Sequence, residues 1–117
     1  MMTKMKIDRR TIWSKYNGHC AYCGCEIDLK KFQIDHFVPK SNAYKYEGNI
    51  NGESNLMPSC AKCNNHKIGM AIELWRHEIA RQADIALRSS TAMQRALKWG
   101  LIKITPQAIV FYFEREK

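Results

Sequence analysis

Apolar and polar positions along this chain recur at helical period in some stretches and alternate in others, and each change of period marks an element. Ile12, Trp13 and Tyr16 recur at helical spacing behind Asp8, a side chain suited to capping a helix N-terminus, and Asn17-Gly18 supplies a stop. A short helix is therefore predicted over residues 7–16. Phe32-Gln33-Ile34-Asp35-His36-Phe37-Val38 alternates as a strand does, with Phe32 and Ile34 on one face and Pro39 ending the pairing. Residues 40–54 form a long polar loop containing Gly48, Gly52, Tyr44 and Tyr46. Helix is expected to resume near Ser59 or Cys60, with Ser59 as the cap, and to break at Gly69.

Beyond that break the periodicity predicts a long helix over residues 71–88. Ile72, Trp75, Ile79, Ala83 and Ala86 share its core stripe, while His77, Arg81 and Arg88 share another face. The basic face reads either as solvated surface or as a track for phosphates. Leu74 and Ile85 lie off the main stripe, leaving room for a second packing surface or a dimer contact. Ser89-Ser90-Thr91 restarts a short helix that runs to Trp99 and is capped by Gly100. Residues 101–104 and 108–113 are rich in β-branched and aromatic side chains around Thr105-Pro106-Gln107. They predict a small terminal hairpin, with a helix start at Thr-Pro as the alternative.

Five cysteines change the picture. Cys20-x-x-Cys23 and Cys60-x-x-Cys63 are two pairs at the spacing that tetrahedral zinc prefers, and paired C-x-x-C is a specific signal. Gly24 allows the chain to turn tightly behind the second thiolate, so that two sulfurs can face one ion. A structural zinc held by Cys20, Cys23, Cys60 and Cys63 would close the 36 residues that separate Cys23 from Cys60. Cys25 could replace Cys23, but the C-x-x-C spacing favours Cys23. A redox role suits one such pair better than two.

An odd cysteine count with no apolar stretch in the polar, basic residues 1–10 argues against a disulfide framework and a secretory signal, and the expected location is cytoplasmic. No apolar run approaches a membrane span of ~18 residues. With 117 residues, 45% hydrophobic and 26% charged, the chain has the balance of one globular domain, small enough to benefit from a metal staple. Its formal charge of +8 favours polyanionic partners, nucleic acid first.

Four fragments in order, "CAYCG", "IDHFVPKS", "SNLMPSC" and "CAKCNNHKIG", resemble the HNH endonucleases that carry a zinc held by four cysteines. The resemblance implies an α+β chain with a ββα-metal, treble-clef-like core over about residues 18–70, which the helices and hairpin predicted above extend over about residues 71–117. The resemblance implies hydrolysis of DNA phosphodiester bonds with a divalent ion. His36 matches the general base that activates water, a task suited to imidazole. Asp35 and Asn64 match the ligands of the catalytic ion. Asn55 matches the position that steadies the loop bearing the histidine. Asparagine at 64 stands where many members have histidine, which makes Mg²⁺ or Mn²⁺ the expected ion.

Local geometry bears on these assignments. Neighbours on a regular strand face opposite sides, so Asp35 and His36 can share a site only where the strand ends. His66 projects about 160° from Asn64 on an unbroken helix and is rejected as a ligand. Lys67 lies near the cysteine face, one turn from Asn64, and is expected to touch phosphate with Lys40, Lys45, Arg81 and Arg88. The competing reading is a zinc-stabilised module that binds nucleic acid without cutting it. DNA is the expected partner, with a homodimer or protein partner compatible and no membrane.

Overall fold

The computed structural model describes residues 7–115. Its chain divides into two compact units, one of residues 7–72 with 110–115 and the other of residues 73–109. Among the described residues no helix is long and apolar enough to cross a membrane.

The first unit begins with helix α1, Arg9–Ser14, shorter at both ends than its pattern suggests. Asp8 caps it: the carboxylate accepts from the Arg10 amide, satisfying a donor that has no partner within the helix. Ile12 points from α1 into a small core with Phe32 and Leu56, flanked by Trp13, Ile27, Leu29 and Ile34. The Trp13 indole N–H donates to the Ile27 carbonyl at 2.9 Å, so this aromatic side chain ties α1 to the segment after the first cysteines.

Strand β1, Gln33–His36, pairs antiparallel with β2, Leu56–Ser59. Asp35 stands opposite Met57, and His36 opposite Leu56. The second strand has no clear signature because Pro58 interrupts it; a two-stranded sheet tolerates proline, since every strand is an edge. Pro58 still uses its carbonyl, which accepts from the Ala21 amide at 2.9 Å. Between the strands the polar loop contains two 3₁₀ segments, Lys40–Lys45 and Glu53–Asn55.

Helix α2, Ala61–Lys67, follows β2 directly. Its cap is Cys60, not Ser59, with the Cys60 sulfur accepting from the Cys63 amide. The helix ends on Ile68, a β-branched residue in the left-handed region at φ 44°, followed by Gly69.

The expected helix over residues 71–88 is two helices, α3, Ile72–Ala80, and α4, Gln82–Ser89. Arg81 separates them, and its guanidinium folds back on Glu78 at 2.8 Å. Trp75 is the buried member of the predicted stripe. Ser90 then caps α5, Thr91–Lys98, by accepting from the Met93 amide.

The terminal hairpin is absent among the described residues. Residues 102–111 run without regular structure into a short helix α6, Tyr112–Arg115. The reason lies in where its donors go: the Tyr112 and Phe113 amides donate to the Tyr22 and Ala21 carbonyls at 2.9 and 2.8 Å. Backbone groups so engaged are lost to a hairpin ladder. Phe111 is buried, and Phe111 and Phe113 both pack edge-on against Tyr22. Gly24 accommodates this return, because a Cβ there would sit 2.5 Å from the Tyr112 ring and the residue's φ is +81°.

Candidate active site and metal centre

Four sulfurs converge where the first knuckle meets α2. The Sγ atoms of Cys20, Cys23, Cys60 and Cys63 all lie within 4.8 Å of one another. Four ligands about 2.3 Å from a tetrahedral zinc would be about 3.8 Å apart, and Cys23 Sγ stands 3.8 Å from Cys60 Sγ. The donors and their spacing thus fit a tetrahedral ion. Cys25 is outside this quartet; its backbone carbonyl accepts from the Cys20 amide at 2.8 Å.

Protonation reflects the same crowding. Hydrogen bonding from Cys63 holds the Cys20 thiol down to about 4, and that contact together with burial pushes Cys63 up. A divalent ion lets all four be thiolates.

Asp35, His36 and Asn64 line one cleft of about 460 Å³ with Pro39, Lys40, Ser41 and Ile68 among their neighbours. Strand β1 stops at His36, and this termination allows consecutive residues to border the same space. Asn64 enters from the middle of α2 and donates through Nδ2 to Gln33 Oε1. His66 is absent from the lining of the cleft.

Asp35 is buried and its Oδ2 is engaged twice. The Tyr22 hydroxyl donates to it at 2.5 Å, and Lys67 Nζ lies 3.0 Å away. Lys67 also donates to the His36 carbonyl at 3.0 Å. Its side chain is wholly buried, which corrects the expectation that Lys67 reaches phosphate. The helical face that carries the cysteines is the inward face, and Lys67 shares it. Burial, reinforced by the negative charge of Asp35, pushes the Tyr22 phenol up, keeping it a hydrogen-bond donor.

Asn55 is 2% exposed and makes three side-chain hydrogen bonds. Its Oδ1 accepts from the Val38 amide at 2.8 Å, while Nδ2 donates to the carbonyls of Val38 at 3.0 Å and Ile50 at 2.9 Å. It therefore fastens the exit of β1 to the far end of the polar loop. Asn51 meets His36: Nε2 lies 2.8 Å from Asn51 Oδ1. An asparagine within a polar loop carries no sequence signal for that contact.

The basic residues differ in setting. Lys40 is exposed at the cleft. The Lys45 ammonium lies 5.4 Å from the Tyr44 ring centroid, and Tyr44 is itself 79% exposed. Arg81 and Arg88 belong to the second unit, Arg81 paired with Glu78 and Arg88 exposed on α4.

The family model described as HNH endonuclease matches residues 20–68, the span that contains both the sulfur cluster and the cleft. The chain is similar to the CRISPR-associated endonuclease Cas9 of Corynebacterium diphtheriae, 31% identical over 75 residues that cover 60% of this chain and 6% of that protein. It is also similar to the Septu protein PtuB of Bacillus thuringiensis, 38% identical over 53 residues, covering 44% of this chain and 20% of that one. Among solved structures, the Type II-C Cas9 enzyme from Actinomyces naeslundii aligns with a TM-score of 0.51 and 25% identity over 77% of this chain and 10% of that one. The chain thus spans a small part of the length of these relatives.

Proposed function

We propose that this protein is a metal-dependent endonuclease of the HNH type that hydrolyses DNA phosphodiester bonds, a reading supported by the match of residues 20–68 to the HNH endonuclease family model. The observation that carries the reading is the meeting of Asp35, His36 and Asn64 on one cleft, with the cationic Lys40 beside them. In this role His36 takes a proton from water, whose oxygen attacks the scissile phosphorus as the bond to the 3′-oxygen breaks. Asn55 holds the His36 segment in place. Lys40 draws the phosphate backbone toward the cleft, and the net charge of +8 favours that encounter.

Asp35 and Asn64 offer oxygen donors from β1 and α2, a set suited to a hard divalent cation such as Mg²⁺ or Mn²⁺. The Tyr22 hydroxyl and the Lys67 ammonium both engage Oδ2 of Asp35. When bound, such an ion supplies charge stabilisation at the phosphate and the departing oxygen. Cys20, Cys23, Cys60 and Cys63 are the residues that would hold a structural Zn²⁺.

One observation favours a second reading. The carboxylate of Asp35 already has a buried cationic partner in Lys67, as it would in a zinc-stabilised binding module with no catalysis. Plasmid cleavage separates the two. Zinc-loaded protein with Mg²⁺ or Mn²⁺ is expected to cut DNA, and His36→Ala to lose at least ~100-fold of the rate. Wild type that never cuts, or His36→Ala that cuts equally well, would leave the binding module as the surviving reading.

A further inference from the structure

We infer that Asn51 is a positioning residue that fixes the tautomer and orientation of His36. The inference rests on the assignment of His36 as general base. An amide oxygen can only accept, so the 2.8 Å contact between His36 Nε2 and Asn51 Oδ1 requires the ring to donate from Nε2. The neutral ring then carries its lone pair on Nδ1. Water loses its proton to Nδ1 while its oxygen forms the new bond to phosphorus and the bond to the 3′-oxygen breaks, its electron pair leaving with the 3′-oxygen, which takes a proton from solvent water. The resulting imidazolium keeps its Nε2–H on Asn51.

The loop is built to hold Asn51 there. Its backbone amide donates to Asn49 Oδ1 at 3.0 Å, and the next amide, of Gly52, donates to the Asn49 carbonyl at 2.8 Å. The preceding carbonyl, of Ile50, accepts from Asn55 Nδ2, the same nitrogen that donates to Val38, two residues after His36. One buried amide thus sets the distance between the strand end that bears the base and the turn that bears its partner. Asn51 is itself exposed, so replacing it removes an acceptor without opening the core.

The test pairs an acceptor-free variant of similar size, Asn51→Leu, with an acceptor-bearing one, Asn51→Asp. In zinc-loaded protein with ¹⁵N-labelled histidine, at a pH where the ring is neutral, wild type and Asn51→Asp should show the Nε2–H tautomer. Asn51→Leu should raise the Nδ1–H population at least threefold. In plasmid nicking, Asn51→Leu should lower kcat by about 10-fold with KM unchanged, and Asn51→Asp should recover most of that loss. A wild-type ring protonated on Nδ1, or an Asn51→Leu protein with unaltered tautomer and kcat, overturns the inference. His36→Ala in the same assay separates the levels. If it cuts like wild type the base assignment has failed, and if it is inactive while Asn51→Leu is normal only the positioning role has failed.

Discussion

Lys67 Nζ sits 3.0 Å from Asp35 Oδ2 with its side chain wholly buried, and the same ammonium holds the His36 carbonyl. One cation therefore neutralises the acidic residue of the cleft and fixes the backbone of the adjacent histidine. Removing it leaves Asp35 as an uncompensated buried charge. Lys67→Met should destabilise zinc-loaded protein by about 3–5 kcal/mol, read by denaturant unfolding. A loss below about 1 kcal/mol would mean that the pair contributes little to the folded state.

The Tyr22 phenol offers a pH-dependent readout. Its pKa is raised in the folded state, by burial first and by Asp35 second. The stability this contributes is complete below the ordinary tyrosine value of about 10 and falls as pH climbs above it, because only the unfolded chain then gives up the proton. Alkaline titration followed by tyrosinate absorbance should show Tyr22 ionising only with unfolding. Tyr22→Phe should flatten that alkaline decline and cost about 1.5–3 kcal/mol at neutral pH through the lost bond to a carboxylate. A Tyr22 that ionises reversibly in folded protein would contradict the buried donor.

Asn55 cannot be replaced by its carboxylate analogue. Asp at this position would still accept from Val38 but would lose both donor bonds, to the Val38 and Ile50 carbonyls. Asn55→Asp should therefore be at least as damaging as Asn55→Ala, with each variant losing about 2–4 kcal/mol by thermal or chemical unfolding. Better stability in the aspartate variant would show that acceptance from Val38 is the dominant bond.

The sulfur cluster predicts a metal-dependent fold. Chelation of the structural ion, or Cys60→Ser, should abolish cooperative unfolding monitored by circular dichroism. A Cys60→Ser protein with a sharp, unshifted transition would show that the quartet is dispensable.

Ile68 ends α2 at φ 44° although it is β-branched, and the residue is 76% exposed at the cleft. Ile68→Gly relieves a strain of about 1–2 kcal/mol, partly offset by the greater freedom of glycine in the unfolded chain. A net gain of about 0.5–1 kcal/mol is expected from the shift in melting temperature. If activity falls as stability rises, the exposed Ile68 side chain serves the substrate.

The sequence conveys those features that depend on spacing. Paired cysteines announce their cluster because each C-x-x-C turn is local, and Asp8 announces α1 because capping is local. The strand around Asp35 alternates and can be read. Its partner cannot, since Pro58 masks the short strand β2. Lys67 is misassigned by residue type, because lysine is ordinarily a surface residue. Its place on the cysteine face of α2 was the better guide. Residues 108–113 have strand-like composition, yet their donors are taken by carbonyls about ninety positions earlier, a non-local outcome invisible to propensity. Asn51 is a similar case, since only the folded loop brings it to His36.

The return of residues 110–115 to the cysteine knuckle means that residues 73–109 are an insertion within one unit rather than a tail appended to it. For anyone dividing the gene product into pieces, the natural excision is therefore internal. Cutting the chain after Ile72 would remove the two amides that Tyr22 and Ala21 bind and the aromatic rings against Tyr22. Bridging Ile72 to Val110 with a linker would keep both. The second unit is in this sense a cassette set between two segments of the first, while the knuckle, the cleft and the returning segment of chain belong together.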